Sequence, residues 1–466
     1  MSFLTDLKAA PPAGRAVAFT AAALGLTYGY DISNIAGALL YLPQEFSLSS
    51  SQQAAMATAV VIGQIVGALI GGIVANAIGR RASMILIALG YALFAIISAL
   101  APSAGLLLII RALLGITIGL SISIVPVFIA ESAPSTIRGG LLVAYQVTTV
   151  IGIILGYIIA WALSYAESWR AMLGVAAIPA ILVFFLLLRI TETPQWLIMK
   201  GRDAEARTIL AQREPDAAKV EKEIAGIHKD LAEQSGRGAL SDMFHGYLLK
   251  ASIFAIALGF FIQITGINAT IYYAPKIFDQ MGFTSTPQQL LLPALVQTFS
   301  LAAVIVSMFI VDKLGRRPVL LGGVGVMILA NIILVIVYKL GGGFSGVYEI
   351  LGLVGIIIFT MGYTFGFGAM VWVFAGEIFP TRYRALGSSL VLTSDLIANA
   401  IVAQAFPPLL DAVGGAGVFS IFGVLAAIAF VFIFRLAPET KGRELEEITQ
   451  YWKNGARWPE EVRRVN

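Results

Sequence analysis

Cysteine is absent from this 466-residue chain, and histidine occurs only twice. Without cysteine there is no disulfide and no thiol chemistry. Both histidines, His228 and His245, fall in one charged stretch, roughly 194–250, so no His/Cys metal site can form inside the apolar runs. Charge is scarce as well. Asp, Glu, Lys and Arg make up 12% of the chain, against about 25% in soluble domains. Hydrophobic residues make up 58%. A water-soluble fold could not hide that much apolar surface, so lipid must cover it. No cleavable leader is expected, because the first apolar run is span-length and lacks a small-residue cleavage pattern.

What is present is a series of apolar runs, each close to the 20 or so residues that cross a bilayer. Twelve occur, at approximately 16–41, 52–75, 83–100, 106–130, 140–163, 171–188, 248–274, 288–311, 319–338, 350–376, 386–410 and 415–434. Six lie on each side of the charged stretch. The expected architecture is an all-α integral membrane protein, with an N-terminal six-helix bundle (1–190) and a cytoplasmic helical linker (191–247). A second six-helix bundle (248–436) and a cytoplasmic tail (437–466) follow. Of the 31 Lys and Arg, leaving aside Lys250 at the cytoplasmic edge of the seventh run, only Arg111, Arg170, Lys276 and Lys339 lie within a span or on the face opposite the charged stretch. The positive-inside rule then puts the linker and both termini in the cytoplasm. The basic residues are spread over short loops, so nothing favours a nucleic-acid partner.

The two halves share their punctuation. Gly79-Arg80-Arg81 follows the second span and Gly315-Arg316-Arg317 the eighth. Glu131 follows the fourth span with Arg138 seven residues on, and Glu377 follows the tenth with Arg384 seven on. Glu192-Thr193 follows the sixth and Glu439-Thr440 the twelfth. Repeated six-helix bundles are a known plan for secondary transporters, with substrate bound near the midplane. Arginines at helix ends can donate to carbonyls and neighbouring carboxylates, which makes these ten charged residues candidates for a cytoplasmic gate. Glycines every fourth residue (Gly63, Gly67 and Gly71; Gly115 with Gly119; Gly152 with Gly156) mark close helix packing.

Gly29-Tyr30-Asp31, Arg111, Gly115, Gly119, Pro126, Glu131, Pro134 and Arg138 form a recognisable set with Thr191-Glu192-Thr193-Pro194-Gln195-Trp196-Leu197, Gln263-Ile264-Thr265-Gly266-Ile267-Asn268, Trp372 and Pro438-Glu439-Thr440-Lys441-Gly442. Together these resemble the sugar porter family of the major facilitator superfamily, over nearly the whole chain. The resemblance implies a rocker-switch carrier working by alternating access. It implies a small polyhydroxylated substrate bound by Gln146, Gln263, Asn268, Trp372 and Asn399, and an extracellular gate at Tyr272 and Tyr273. Amides donate and accept, which suits sugar hydroxyls, and an indole packs on the C–H face of a pyranose. The expected setting is a plasma membrane, of the bacterial inner-membrane type, with the carrier acting as a monomer and needing no cofactor.

Two acids lie inside spans. Asp31 is costly there without a partner, and such charges usually mark pathways. Arg111 is the evident partner. A pair that forms in one state and opens in another would let Asp31 carry the coupling proton, and the resemblance supports this, because proton-coupled sugar porters have Asp and Arg at these places. Asp395, with Asn399 one turn later on the same face, stands where the family usually has an uncharged amide. It is a candidate to bind a hydroxyl, attract a cationic substrate or titrate.

Other positions depart from the family as well. Ile262, Ser300 and Leu396 replace polar or indole residues, Asn76 replaces an Asp, and the tenth span lacks its usual prolines. Its glycines, Gly362, Gly366 and Gly368, are expected to let it bend instead. Proton-coupled symport is the favoured expectation. Facilitative uniport, or transport of a non-sugar polar or cationic solute, stays open. Drug efflux, sugar sensing and membrane enzymology are disfavoured by the amide cluster, the short tail and the lack of a catalytic constellation.

Overall fold

The computed structural model describes residues 12–132, 135–212, 216–234, 240–341, 346–380, 383–443 and 445–458. All are helix or loop. Ten helices are long and apolar enough to cross a bilayer. One of them, Arg384–Leu436, has 53 residues and is interrupted at Gly414, whose φ of 68° and ψ of 175° are not helical. At 1.5 Å per residue it covers two crossings. With Pro12–Ala38 added and that long element divided, twelve apolar helices result, as the hydropathy pattern predicts.

They are α1 (Pro12–Ala38), α2 (Ser50–Ile78), α3 (Arg80–Ala99), α4 (Ala104–Ser132), α5 (Ser135–Ser164) and α6 (Trp169–Leu188). The second six are α7 (Gly246–Tyr272), α8 (Thr286–Leu314), α9 (Arg316–Leu340), α10 (Val347–Glu377), α11 (384–413) and α12 (415–436).

The chain falls into two compact units, Met1–Ser47 with Thr58–Gly236, and Leu48–Ala57 with Arg237–Asn466. Large apolar side chains on both face outward: Leu69, Ile73 and Leu182 in the first, Phe309, Leu329 and Val424 in the second. That surface suits hydrocarbon and no other solvent. The charged stretch forms short helices, Pro194–Met199, Asp203–Ala211 and Ala217–Gln234, which cluster with the first unit. Trp196, Leu197, Leu210, Val220 and Ile224 give them a small core of their own.

Glycine decides how closely α2 and α4 pack. A Cβ at Gly63 would sit 2.1 Å from the Ala112 carbonyl oxygen, and one at Gly67 2.2 Å from that of Ile116. In the other direction, Gly115 and Gly119 meet the carbonyls of Val60 and Gln64 at 2.1 and 2.2 Å. These backbones touch, and no side chain fits between them.

Two helices of the second unit depart from regularity. Helix α7 is interrupted at Thr265 and Gly266, where Gly266 takes φ 99°, leaving Gln263 before the break and Asn268 after it. In α10 the expected bend takes the form of a π turn over Thr364–Gly368. Glycine permits it, because the Gly366 backbone is pressed against Gly323 of α9.

Candidate functional site

In the first unit a buried charged group forms where α1, α3 and α4 meet. Gly29 brings α1 against α5, since a Cβ there would overlap the Thr149 carbonyl at 1.8 Å. Asp31 and Arg111 are 3% and 1% exposed. The Arg111 Nη1 and Asp31 Oδ1 atoms are 3.7 Å apart. Oppositely charged groups attract at that distance, but a hydrogen bond does not form. Tyr91 lies within hydrogen-bonding reach of Asp31, and its hydroxyl donates to the Thr27 carbonyl at 3.2 Å. Tyr30 donates to the Met172 carbonyl at 3.2 Å, tying α1 to α6. Tyr30 belongs to the Gly29-Tyr30-Asp31 motif, but nothing in the sequence pattern marks Tyr91, because a Tyr in an apolar run looks like packing.

In the second unit a polar cluster brings together three of the expected substrate residues, Gln263, Asp395 and Asn399, and a fourth, Asn268, is buried past the break in α7. Gln263 and Asn268 on α7 and Asp395 and Asn399 on α11 are all buried. The Gln263 amide is within hydrogen-bonding reach of Asp395. The Asn399 amide donates to the Tyr272 hydroxyl at 3.3 Å. Tyr363 of α10 stands close to both Asp395 and Tyr272. Tyr273 is buried as well, donating to the Ala403 carbonyl at 2.7 Å and stacking on Phe406. Trp372 is 36% exposed and Gln146, on α5 of the first unit, is exposed. Among the described residues no hydrogen bond or ring contact joins Trp372 to these side chains. Ile262, Leu396 and Ser300, the departures from the family pattern, are buried.

The repeated charged motifs build the same device twice, once in each unit. Gly79 begins α3 with φ 100° and Gly315 begins α9 with φ 98°. The Glu192 carboxylate accepts the backbone N–H groups of Arg80 and Arg81 at 3.0–3.1 Å. Glu439 accepts those of Arg316 and Arg317 at 3.0 and 3.2 Å. Each glutamate thus fills the open donors at a helix N-terminus and opposes its dipole. The second arginine of each pair caps another helix. Arg81 donates to the carbonyls of Leu187 and Leu188 at the end of α6, and Arg317 donates to the Phe434 carbonyl at the end of α12.

The first arginine of each pair reaches a carboxylate. Arg80 makes a two-pronged contact to Glu131, with both bonds at 2.9 Å, and adds the Asn76 side chain at 3.0 Å. Arg316 meets Glu377 at 3.5 Å. Thr193 and Thr440 donate to Glu131 and Glu377. The seven-residue spacing from Glu to Arg therefore does not mark a pair in the second unit, where Glu377 joins Arg316 and Arg384 makes no ion pair with a described residue. The Arg138 side chain lies outside the described residues.

Known proteins with this pattern are numerous. A family model described as "Sugar (and other) transporter" matches residues 17–452. The arabinose-proton symporter of Escherichia coli (strain K12) is 35% identical over 437 residues, covering 93% of this chain and 92% of its own. The D-xylose transporter of Levilactobacillus brevis is 34% identical over 435 residues, covering 93% and 94%. Among solved structures, the xylose transporter XylE from E. coli in a partially occluded inward open conformation superposes with a TM-score of 0.81. It is 25% identical, and the match covers 93% of this chain and 99% of that one.

Proposed function

Because the chain belongs to the sugar transporter family of the major facilitator superfamily, we propose that it is a proton-coupled symporter of a sugar or related polyhydroxylated solute. It is a multi-pass membrane transporter, not an enzyme. The observation that carries the coupling is the loose contact of Asp31 with Arg111 at 3.7 Å, buried and with Tyr91 alongside. A closed bidentate pair would hold Asp31 ionised, whereas a contact this long leaves the carboxylate able to take a proton when Arg111 moves away. Relatives named as arabinose-, galactose- and xylose-linked transporters support a pentose or hexose as solute.

The second-unit amides, Gln263, Asn268 and Asn399, are the solute contacts in this reading, joined by Trp372 and Gln146 as the more exposed ones. Tyr272 and Tyr273 gate the outer side, and the twin glutamate–arginine devices, with Arg138 and Arg384, govern the cytoplasmic one. The chain sits as a monomer in a bacterial inner membrane with both termini cytoplasmic, coupled to H⁺ and needing no cofactor.

The test is a thermal-shift screen of purified protein against sugars, polyols and small organic ions, since a bound ligand stabilises the folded state. Each stabilising compound is then added to energy-depleted cells carrying the protein. Symport makes the medium more alkaline as solute enters. A stabilising sugar that enters with no alkalinisation would refute the coupling.

A further inference from the structure

The second-unit cluster leaves acceptors unmet. Asp395 Oδ1, Gln263 Oε1 and Asn399 Oδ1 are all buried, and none has a hydrogen-bond partner among the described residues. Asp395 lies eleven residues, about 16 Å of helix, beyond Arg384 at the start of α11. On α7–α12 no counter-charge stands at that depth, since every Lys and Arg of these helices is at a helix end. Among the described residues the titratable group facing Asp395 is Tyr363 from α10, which also stands close to Tyr272 of α7; Gln263 and Asn399 complete its polar surroundings. Each phenol is neutral as a donor, and neither offsets a carboxylate charge. The first unit differs here, because Asp31 has Arg111.

An ionised carboxylate with no cation, inside a bundle surrounded by lipid, is among the most costly arrangements a protein can hold. An ionised carboxylate is also acceptor-only, which adds to the unmet acceptors. One proton removes both difficulties: it neutralises the group and turns it into an O–H donor. We propose that Asp395 is a second protonation site, held as a neutral carboxylic acid within the solute cluster and donating its hydrogen bond to a solute hydroxyl when solute binds.

The solute half of this proposal rests on the reading of that cluster as the solute site; the protonation half does not. Two consequences follow. Solute affinity falls as pH rises through the Asp395 titration, because the donor is then lost. This titration is separate from that of Asp31, so the Asp31→Asn variant retains it.

The test is infrared difference spectroscopy of the purified carrier in lipid nanodiscs, titrated from acid to alkaline pH. A protonated-carboxyl C=O band is expected at neutral pH in the wild type and in Asp31→Asn, and it should be missing from Asp395→Asn. If Asp395→Asn does not fold, Asp395→Glu serves, with the band displaced rather than lost. A neutral-pH carboxyl region identical in wild type and Asp395→Asn, or an undisplaced band in Asp395→Glu, overturns the proposal. So does a rise in melting temperature with sodium chloride but not choline chloride that Asp395→Asn abolishes, since the carboxylate would then be ionised and holding a metal cation.

The solute half is read from the same band. It should shift when any sugar or polyol that stabilises the protein is added, and a band unmoved by all of them overturns that half. A failure of proton symport would appear elsewhere, in the medium-alkalinisation assay.

Discussion

Arg111 presents its guanidinium to Asp31 at 3.7 Å, with both side chains almost wholly buried. The two attract as charges but are not bound as hydrogen-bond partners, which suits a pair that must open and close. Asp31→Asn keeps the shape of the side chain and removes its proton chemistry. Accumulation of solute against a gradient should be lost in proteoliposomes under a pH gradient, while exchange of labelled for unlabelled solute continues. An Asn variant that still concentrates solute would end the assignment of Asp31 as the proton carrier.

Arg80 and Arg316 occupy equivalent places but are held differently. Arg80 grips Glu131 through two bonds at 2.9 Å in a nearly buried site, and Arg316 touches Glu377 once at 3.5 Å and is more exposed. A lysine cannot reproduce the fork. Arg80→Lys should lower stability by about 1–3 kcal/mol, and Arg316→Lys by clearly less. Thermal unfolding of the two variants, side by side in detergent, measures the difference. Equal losses would mean that the two devices are energetically alike despite their geometry.

Much of this was open to reading in advance. Gly79, the arginine pair and Glu192 recur as Gly315, its arginine pair and Glu439, and a motif that appears twice at matching places exposes its own significance. The partners were harder to see. Glu131 and Arg138 are close in sequence, but Glu131 pairs with Arg80, fifty-one residues away, because helix ends are brought together by packing and not by spacing. Tyr91 and Tyr363 could not be told from core aromatics, since burial beside an acid is a property of the folded bundle. Gln146 illustrates the reverse: a motif position whose side chain is exposed on α5.

Two neighbouring glycines on α2 should behave in opposite ways. Gly67 lies against the Ile116 backbone, whereas a Cβ at Gly72 meets nothing within 4 Å. Gly67→Val forces α2 and α4 apart and should abolish monodisperse folded protein, an overpacking cost of about 3 kcal/mol or more. Gly72→Ala should be neutral or slightly stabilising, since alanine favours helix over glycine. Size-exclusion profiles and melting temperatures of the pair decide this, and a well-folded Gly67→Val would show that the helices are less tightly joined than the backbones indicate.

Glu45, in the short helix Leu42–Phe46 between α1 and α2, gives a pH-dependent contribution. The Trp169 indole holds this carboxylate below the usual range; burial opposes it, and the hydrogen bonds and charge of Arg170 add to the lowering. A depressed folded-state pKa contributes stability above the unfolded value and loses it as pH falls through the folded value. The wild type should therefore melt higher than Glu45→Gln at neutral pH, by no more than about 1 kcal/mol because Arg170 and Glu45 are partly exposed. The two melting curves should converge on acidification, and a gap that persists in acid would place the effect of Glu45 in packing.

The π turn at Thr364–Gly368 has a consequence for how this carrier could diversify. A wide turn of this kind holds one residue more than a regular helix needs. Deleting a single residue there would restore ordinary winding and leave everything after it, Trp372 included, facing nearly as before, whereas a deletion elsewhere in α10 would swing it by about 100° around the axis. A one-codon loss is thus absorbed at the π turn, while the same loss elsewhere before Trp372 re-aims an aromatic surface without altering any side chain, a short route by which descendants of one ancestor come to prefer different cargo.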